Sequence, residues 1–588
     1  MKHQTSSLWQ KILALAVALV MLFSLAACGD SGSTTGSTAM STQPTSSATD
    51  PTTDPATDPT DPATQPTTTQ PTTQSTTTSG ETIPTIPSLG HDCDLVYTLT
   101  QEEVDEFYRL LTESEELALL GEDLDAIEAS IDALDASYEY LNTQCSISMV
   151  LHYGNTKDEA LETQYLDCVD ICTAANDAYL QMVRRIYLSD TPAKDTLFEG
   201  WTEQDFADLM AYDERIAQIQ SRNAEIGVEY RGTNDDALKI QLYIEMVQNN
   251  NTIAQFYGYD NYYTYAYERV YDRDYDAQAV EELRTLAETY VTKNYSNTYN
   301  NFYTYYNKLN NDKKGDLVDF LYDNFQYLSK DYVGLYLYEL PENLNNAMWD
   351  MLLNNSYFPS NKNANPGAFT TTIGDRSYCY FSMDYTNCNT IIHEGGHYYA
   401  SLYTDLNAIP LDLAEVHSQG NEWLFNCFME DHMRASQYKA LINYRLYEAL
   451  SMVLVCLMVD EFEQIVYSTD LTGYTAEDLD AIMDEVAMRY FPLGNVNSQL
   501  TNMNSYWRMV VVDQPVYYIS YAVSAMASVS LYTVAVEDFD AAVGIYVNLC
   551  ENVDLESGFL GNIRAAGLYT PFDEEFYIQL RQVVSNLT

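Results

Sequence analysis

The chain has 588 residues, with 28 lysines and arginines against 86 aspartates and glutamates, so its formal net charge is −58. This charge excludes a general nucleic-acid-binding protein, because a phosphate backbone would be repelled, and it excludes electrostatic adhesion to anionic lipid for the same reason. Hydrophobic residues make up 46% of the chain and 51 residues are tyrosine, which predicts a large aromatic-rich core in two or three structural units.

Residues 1–27 have the pattern of an export signal. Lys2 and Lys11 precede the apolar run Ile12–Ala27, which is too short to cross a bilayer but typical of a signal peptide. The run ends in Leu25-Ala26-Ala27-Cys28, which resembles the bacterial lipobox. The resemblance implies that Cys28 is acylated and anchors the protein to the extracytoplasmic face of a bacterial cell membrane. An ordinary secretory signal with a coincidental cysteine is the alternative.

Residues 28–90 are predicted to form a disordered tether. From Gly29 to Gly90 there is no aromatic residue, lysine or arginine, and 9 of the 17 prolines fall here among threonines and serines. Such a segment has too little apolar surface to offset the entropy of ordering, and proline keeps it extended. Folded structure is therefore expected from residue 91 onward, and it is divided into an N-terminal helical region at 91–369 and a C-terminal region at 370–588, which contains the motifs described below.

Nine cysteines remain besides Cys28, an odd number without a dense spacing pattern, so a disulfide framework is not predicted. Cys145 could pair with Cys168 or Cys172. The chain contains no CxxC motif, which disfavours a zinc site built from thiolates.

Most of the folded part shows the three- and four-residue apolar spacing of amphipathic helices. The segments predicted to be helical are Leu124–Leu141, Tyr165–Tyr187, Ala237–Tyr257, Ala277–Tyr306 and most of the chain after residue 390. The best strand pattern is Tyr378–Asp384, rich in β-forming residues and preceded by the turn-prone pair Gly374-Asp375. The predicted fold class is mainly α with a small β-sheet.

His393-Glu394-Gly395-Gly396-His397 is an HExxH motif. On a helix the two imidazoles lie one turn apart on one face, so both can reach one zinc ion. Glu394 points beside the metal, where a carboxylate can take a proton from water and pass it to a leaving amine. The two glycines cost the helix up to about 1 kcal/mol each relative to alanine.

A third protein ligand is needed, with the fourth position left open for water, and the segment Leu413–Trp423 stands downstream. Its Glu415, Ser418 and Glu422 share one helix face. HExxH followed by E-x-x-S-Q-x-x-E resembles the M3 family of zinc metallopeptidases, which includes thimet oligopeptidase and oligoendopeptidase F. The resemblance implies that one zinc ion is bound by His393, His397 and Glu415, that Glu394 is the general base and that Glu422 supports the ligands. His417 is the competing third ligand, although it faces elsewhere on the helix.

The resemblance extends to the segment Pro515–Tyr521. It implies that Tyr518 and Tyr521 donate hydrogen bonds to the oxyanion that develops on the substrate. It also makes Tyr378–Asp384 a cleft strand that pairs with substrate backbone, and it implies two helical lobes around a deep substrate channel, with the sheet near the zinc site. One departure is Val510, which stands where the family usually has a histidine; the chain has no histidine after His432.

The leading hypothesis is therefore a zinc metallopeptidase that hydrolyses oligopeptides, with no nucleic-acid partner and membrane contact only through the lipid. The first alternative is a catalytically degenerate surface lipoprotein that binds peptides. A glycan-binding surface protein, suggested by aromatic composition alone, is the second. Oligomeric state is not indicated by the sequence.

Overall fold

A computed structural model describes residues 93–201, 206, 209, 214–322, 328–359, 361–382, 386–491, 507–512 and 514–587. The predicted signal at 1–27 and the predicted tether at 28–90 lie outside the described residues. Helices make up most of the described chain, in agreement with the predicted mainly α class.

The N-terminal part contains α1 (Gln101–Leu120), α2 (Leu124–Gly154), α3 (Glu159–Leu188), α4 (Lys194–Leu197), α5 (Glu214–Gly232), α6 (Asp236–Phe256), α7 (Tyr262–Tyr265), α8 (Ala277–Leu286), α9 (Thr292–Tyr306), α10 (Asn311–Tyr322), α11 (Leu328–Glu339) and α12 (Glu342–Asn354). The first three predicted helices are confirmed as parts of α2, α3 and α6. The fourth, Ala277–Tyr306, is interrupted by a π-helical turn at Ala287–Val291 that joins α8 to α9.

Three short strands follow: β1 (Ser356–Tyr357), β2 (Ala368–Ile373) and β3 (Arg376–Phe381). The order is β1-β3-β2, with β1 parallel and β2 antiparallel to β3. The predicted strand is confirmed as far as Phe381; residues 383–385 lie outside the described part. The expectation that β3 pairs with substrate backbone is wrong at Cys379 and Tyr380. At these residues β3 already pairs with β1 on one side and with β2 on the other.

After the sheet the chain is helical again, as predicted. The elements are α13 (Cys388–Ser401), a 3₁₀ turn (Leu406–Ala408), α14 (Leu411–Phe428), α15 (Ala435–Tyr467), α16 (Ala476–Tyr490), α17 (Trp507–Val510), α18 (Ile519–Glu537), α19 (Phe539–Glu551), α20 (Gly558–Ala565) and α21 (Glu574–Asn586).

The HExxH helix α13 lies at the centre of the main core. It packs against α14, and α14 packs in turn against α18. Helix α18 is long and apolar enough to cross a membrane. However, 83% of its most apolar 18-residue stretch is buried inside the protein, as expected of a core helix. The largest hydrophobic cluster joins side chains from α5 through α21 and so spans residue 370.

The first helices form a separate cluster in which α1, α2 and α3 pack together around side chains such as Phe107 and Leu134. A third, smaller cluster connects the second half of α2 to the sheet, through Val150, Phe369 and Tyr380. The sheet thus lies between the N-terminal helices and the HExxH helix.

Candidate metal centre

Helix α13 presents both motif histidines on one face. Its first turn is capped by Asn387, whose side-chain oxygen accepts a hydrogen bond from the Thr390 backbone N–H at 3.1 Å. The rings of His393 and His397 lie one turn apart, with centroids 5.1 Å from each other. The spacing predicted from the sequence is therefore realised on a regular, capped helix.

Glu415, on α14, faces the two histidines. One ligand atom from each of His393, His397 and Glu415 lies within 4.8 Å of the other two. The alternative ligand His417 is not in this group; it is fully buried on another face of α14. The structure therefore brings together the three residues that the resemblance implied.

The close approach of the two helices depends on Gly396. A Cβ atom at this position would overlap the carbonyl oxygen of His417 and lie 2.7 Å from Ser418 Cα. Backbone atoms in the middle of a helix cannot move aside locally, so only glycine allows this contact. The hydrogen bond from Asn421 Nδ2 to the Ile392 carbonyl oxygen, 2.8 Å long, ties the same two helices together.

The orientation of His393 is fixed by Glu422. His393 Nδ1 lies 2.8 Å from Glu422 Oε1, while Asn389 Nδ2 donates to Glu422 Oε2 at 3.0 Å. This leaves His393 Nε2 facing Glu415 Oε2 across 3.7 Å, which is too long for a hydrogen bond. A hydrogen bond that holds one imidazole nitrogen and directs the other inward is typical of metal-binding histidines.

The charges of the site fit a bound cation. Burial opposes a charged His393, but the neighbouring carboxylates outweigh it, Glu422 most strongly, and raise the pKa of His393 to about 9. Burial holds the pKa of His397 well below its usual value, which keeps that ring neutral and able to act as a ligand. Buried carboxylates that hold a proton on one histidine would hold a divalent cation in its place.

The distance between His393 and Glu415 fits as well. Metal–nitrogen and metal–oxygen bonds of about 2.0–2.1 Å let one ion reach two ligand atoms up to about 4 Å apart, and the observed gap between His393 and Glu415 is 3.7 Å. His397 Nδ1 is buried and has no hydrogen-bond partner among the described residues. The donor set, its spacing and its charge thus fit a single divalent cation.

Glu394 lies beside this group and is 5% exposed. Thr370 of β2 donates a hydrogen bond from Oγ1 to Glu394 Oε2 at 2.8 Å. Burial raises the pKa of Glu394 to about 7, with His393 and Thr370 acting in the opposite direction. A carboxyl group with such a pKa can both accept and return a proton near neutral pH.

Tyr518 and Tyr521 lie at the start of α18, which packs on the helix of Glu415. Both are half-buried, and the Tyr521 hydroxyl is 3.2 Å from that of Tyr517. One turn further along, Ser524 Oγ accepts a hydrogen bond from Gln419 of α14 at 3.3 Å. Their role toward a substrate stays a prediction.

The turn before these tyrosines is strained. Val516 has φ of +62°, an unfavourable conformation for a β-branched residue. Its N–H donates to Glu463 Oε1 at 2.8 Å, and its carbonyl oxygen accepts from Arg273 Nη2 at 2.9 Å. Arg273 also donates to Ser520 Oγ at 3.0 Å, so it holds both sides of the turn.

Several of these supporting residues were missed by sequence reasoning. Thr370 and Arg273 lie on other elements, and no local pattern connects them to the motif. Asn389 could have been found, because it precedes His393 by one helical turn and therefore shares its face. Val510 belongs to the short helix α17, and residues 492–506 next to it lie outside the described part.

Solved structures with the same fold are peptidases. PZ peptidase A, solved with an inhibitor, aligns with 84% of this chain and 98% of its own at 16% identity and a TM-score of 0.60. A protein assigned as an oligoendopeptidase F aligns with 83% of this chain and 97% of its own, at 17% identity and a TM-score of 0.59. A second protein with the same assignment, from Bacillus anthracis str. Ames, aligns with 85% of this chain and 98% of its own, at 16% identity and a TM-score of 0.58.

These similarities establish the fold and confirm the predicted mainly α class with a small sheet. No protein-family sequence profile matches the chain, and a search of curated proteins gave no match. The chemistry must therefore be argued from the site itself.

The contact at Gly396 yields a test of the site geometry. We expect Gly396→Ala to lower metal affinity at least tenfold and to lower the melting temperature, because overpacking against backbone costs about 1–3 kcal/mol. Gly395→Ala is the matched control, since its Cβ would overlap only the Met348 side chain and alanine favours the helix by about 1 kcal/mol. Titration with Co²⁺ measures the metal affinity of both variants, and thermal unfolding measures their melting temperatures. Equal metal affinity of the two variants would contradict the argument.

Proposed function

We propose that the protein is a zinc-dependent metallopeptidase that hydrolyses peptide bonds in oligopeptides. The observation that carries this proposal is the convergence of two imidazoles and one carboxylate beside the buried carboxyl group of Glu394. That this constellation occurs in a fold shared with peptidases supports the proposal.

Zinc is the cation that this ligand set suits best. Two histidines and one glutamate form a common three-residue zinc set that leaves a position open. When bound, zinc supplies a Lewis acid that polarises the scissile carbonyl group and makes water more acidic. His393, His397 and Glu415 would hold it, and Glu422 would keep His393 in the ligating orientation.

Glu394 carries the proton. Thr370 occupies its Oε2 atom, which leaves Oε1 to accept a proton from the attacking water. The same carboxyl group then gives that proton to the leaving amine nitrogen. The low exposure of Glu394 keeps bulk solvent from competing for the proton.

Tyr518 and Tyr521 are proposed to donate hydrogen bonds to the oxyanion. A phenol aimed at the oxygen that gains charge stabilises the transition state more than the ground state. The clamped turn at Val516 fixes where α18 begins and hence where both hydroxyls lie. With Val510 in place of a histidine, one further donor is missing, and we expect turnover to be slower by one or two orders of magnitude than with it.

The substrate backbone is proposed to run along the outer edge of β2. Among the described strands β2 pairs only with β3, so no described strand occupies its other edge, where an extended peptide would add as a further strand. Thr370 on β2 touches Glu394, which places this strand next to the reacting groups. We further propose that the enzyme acts outside the cytoplasm, held to the membrane by Cys28.

Removing the proton carrier should abolish turnover without removing the metal. We expect Glu394→Gln to lower kcat for a quenched fluorescent peptide at least a thousandfold, because general acid–base catalysis is lost, while one zinc per chain is retained. Glu430→Gln, at an exposed carboxylate just beyond α14, is the control and should leave kcat unchanged.

Activity that survives in Glu394→Gln, or that persists after zinc chelation, would overturn the proposal. A wild-type protein that binds peptides without cleaving them would instead identify the non-catalytic peptide-binding lipoprotein.

The oxyanion role of the tyrosines predicts a specific kinetic effect. We expect Tyr518→Phe and Tyr521→Phe each to lower kcat about 10- to 100-fold with little change in KM and full metal content, because a transition-state contact is lost. Tyr108→Phe, at a residue 37% exposed on α1, is the matched control. A rise in KM at unchanged kcat would show that the hydroxyls serve ground-state binding only.

A further inference from the structure

A second group of reactive side chains lies on α2 and α3, away from the HExxH helix. Cys145 belongs to α2, and Cys168 and Cys172 lie one turn apart on α3. Their three sulfur atoms all lie within 4.8 Å of one another. Ten cysteines are spread over 588 residues, and this cluster gathers three of them from two helices.

The three thiols are not equivalent. Cys168 and Cys172 are fully buried in the cluster formed by α1, α2 and α3, whereas Cys145 is partly exposed. The Cys172 thiol donates a hydrogen bond to the carbonyl oxygen of Leu141 at 3.4 Å. Each thiol interacts with the other two, and Cys168 also interacts with Tyr97 and Ser148.

Two chemistries bring three cysteines together, a metal centre or a disulfide. Three thiolates around Zn²⁺ carry a net charge of −1, and around Cu⁺ a net charge of −2. The interactions described for these thiols include no lysine, arginine or histidine, so the charge would be buried without compensation. A disulfide is neutral and suits an apolar core, so the surroundings favour oxidation over metal binding.

We propose that Cys145 and Cys168 form a disulfide bond that joins α2 to α3, with Cys172 left as a thiol. Cys168 and Cys172 both contact Cys145, and Cys168 is the better partner because the Cys172 thiol is tied to the carbonyl oxygen of Leu141. Cys145 is the least buried residue of the three, so an oxidant would approach the pair from its side. This site is independent of the proposed peptidase activity.

The oxidation needs an external disulfide of low molecular weight, such as oxidised glutathione. The Cys145 thiolate attacks one sulfur of that disulfide, which forms a mixed disulfide and releases one small thiolate. The Cys168 thiolate then attacks the Cys145 sulfur, which forms the protein disulfide and releases the second small thiolate. Two protein thiols are thus oxidised by two electrons, and their two protons pass to the two released thiolates. An extracytoplasmic location, as proposed from the N-terminal sequence, would favour this state.

The crosslink would stiffen the connection between the N-terminal helices and the sheet. Beyond Cys145, helix α2 continues to Val150, which packs in one cluster with Phe369 and Tyr380. Strand β2 in that sheet also carries Thr370. A Cys145–Cys168 crosslink closes the loop that contains the connection between α2 and α3, and such a crosslink stabilises mainly by restricting the unfolded chain. We therefore expect reduction to lower the melting temperature of the wild-type protein by several degrees and not that of Cys145→Ser.

Peptide mapping tests the assignment. The purified full chain is incubated with oxidised glutathione, its remaining thiols are alkylated under denaturing conditions, and unreduced peptides are identified by mass spectrometry. We expect a Cys145–Cys168 crosslink with Cys172 alkylated, the same crosslink in Cys172→Ser, and no crosslink in Cys145→Ser. Because Cys172→Ser keeps the disulfide, it tests the assignment even if Cys145→Ser folds poorly.

Three alkylated cysteines after this treatment would overturn the proposal, and a Cys145–Cys172 crosslink would overturn the choice of Cys168. A parallel sample, reduced and incubated with Zn²⁺ before alkylation, tests the metal alternative. Retention of one additional zinc ion with all three thiols protected, together with no crosslink among them in the oxidised sample, would identify a metal centre and contradict the disulfide.

Discussion

The backbone contact between α13 and α14 at Gly396 is the constraint on which the candidate site depends. A glycine in the middle of a helix is unfavourable for that helix alone, and here it lets the neighbouring backbone at His417 and Ser418 come within van der Waals contact. The same approach brings Glu415 to the histidine pair. Local helix stability is thus reduced where tertiary geometry requires it, as is common at functional sites.

Charge explains why such an arrangement calls for a cation. Glu394, Glu415 and Glu422 surround His393, and the first two are almost fully buried. Carboxylates are costly to bury unless they are paired with positive charge. Protonated His393 supplies part of that charge, and a divalent ion would supply it more completely. The electrostatics and the ligand geometry therefore lead to the same conclusion.

The sequence predicted those parts of the site whose signal is local. HExxH spacing fixes two ligands and the base on one helix, and the downstream Glu415 followed from resemblance. It could not predict Thr370, which comes from a strand whose position is set by tertiary packing. Nor could it predict Arg273, which holds a turn 243 residues further along the chain. The pairing of β3 on both sides was also invisible, because strand pattern does not reveal strand order.

For the fold as well, the sequence predicted the features that have a local signal and missed those that depend on tertiary packing. The long helices α2, α3 and α6 were predicted because their apolar positions repeat at helical spacing. The bounds of α6 were predicted to within one residue at each end, whereas α2 continues past its predicted end at Leu141 to Gly154. The π-turn at Ala287–Val291 was missed, since an inserted residue barely changes the apolar pattern. The clustering of Cys145 with two cysteines of α3 became specific only once the helices were seen to pack.

The central claim is that three side chains from two helices bind one zinc ion. X-ray absorption at the zinc edge of the purified protein tests it most directly, because the spectrum reports the atoms bound to the metal. We expect one zinc per chain, surrounded only by nitrogen and oxygen atoms at about 2.0–2.1 Å, and loss of that zinc in His393→Ala. Sulfur neighbours at about 2.3 Å, or zinc retained in His393→Ala, would contradict the account.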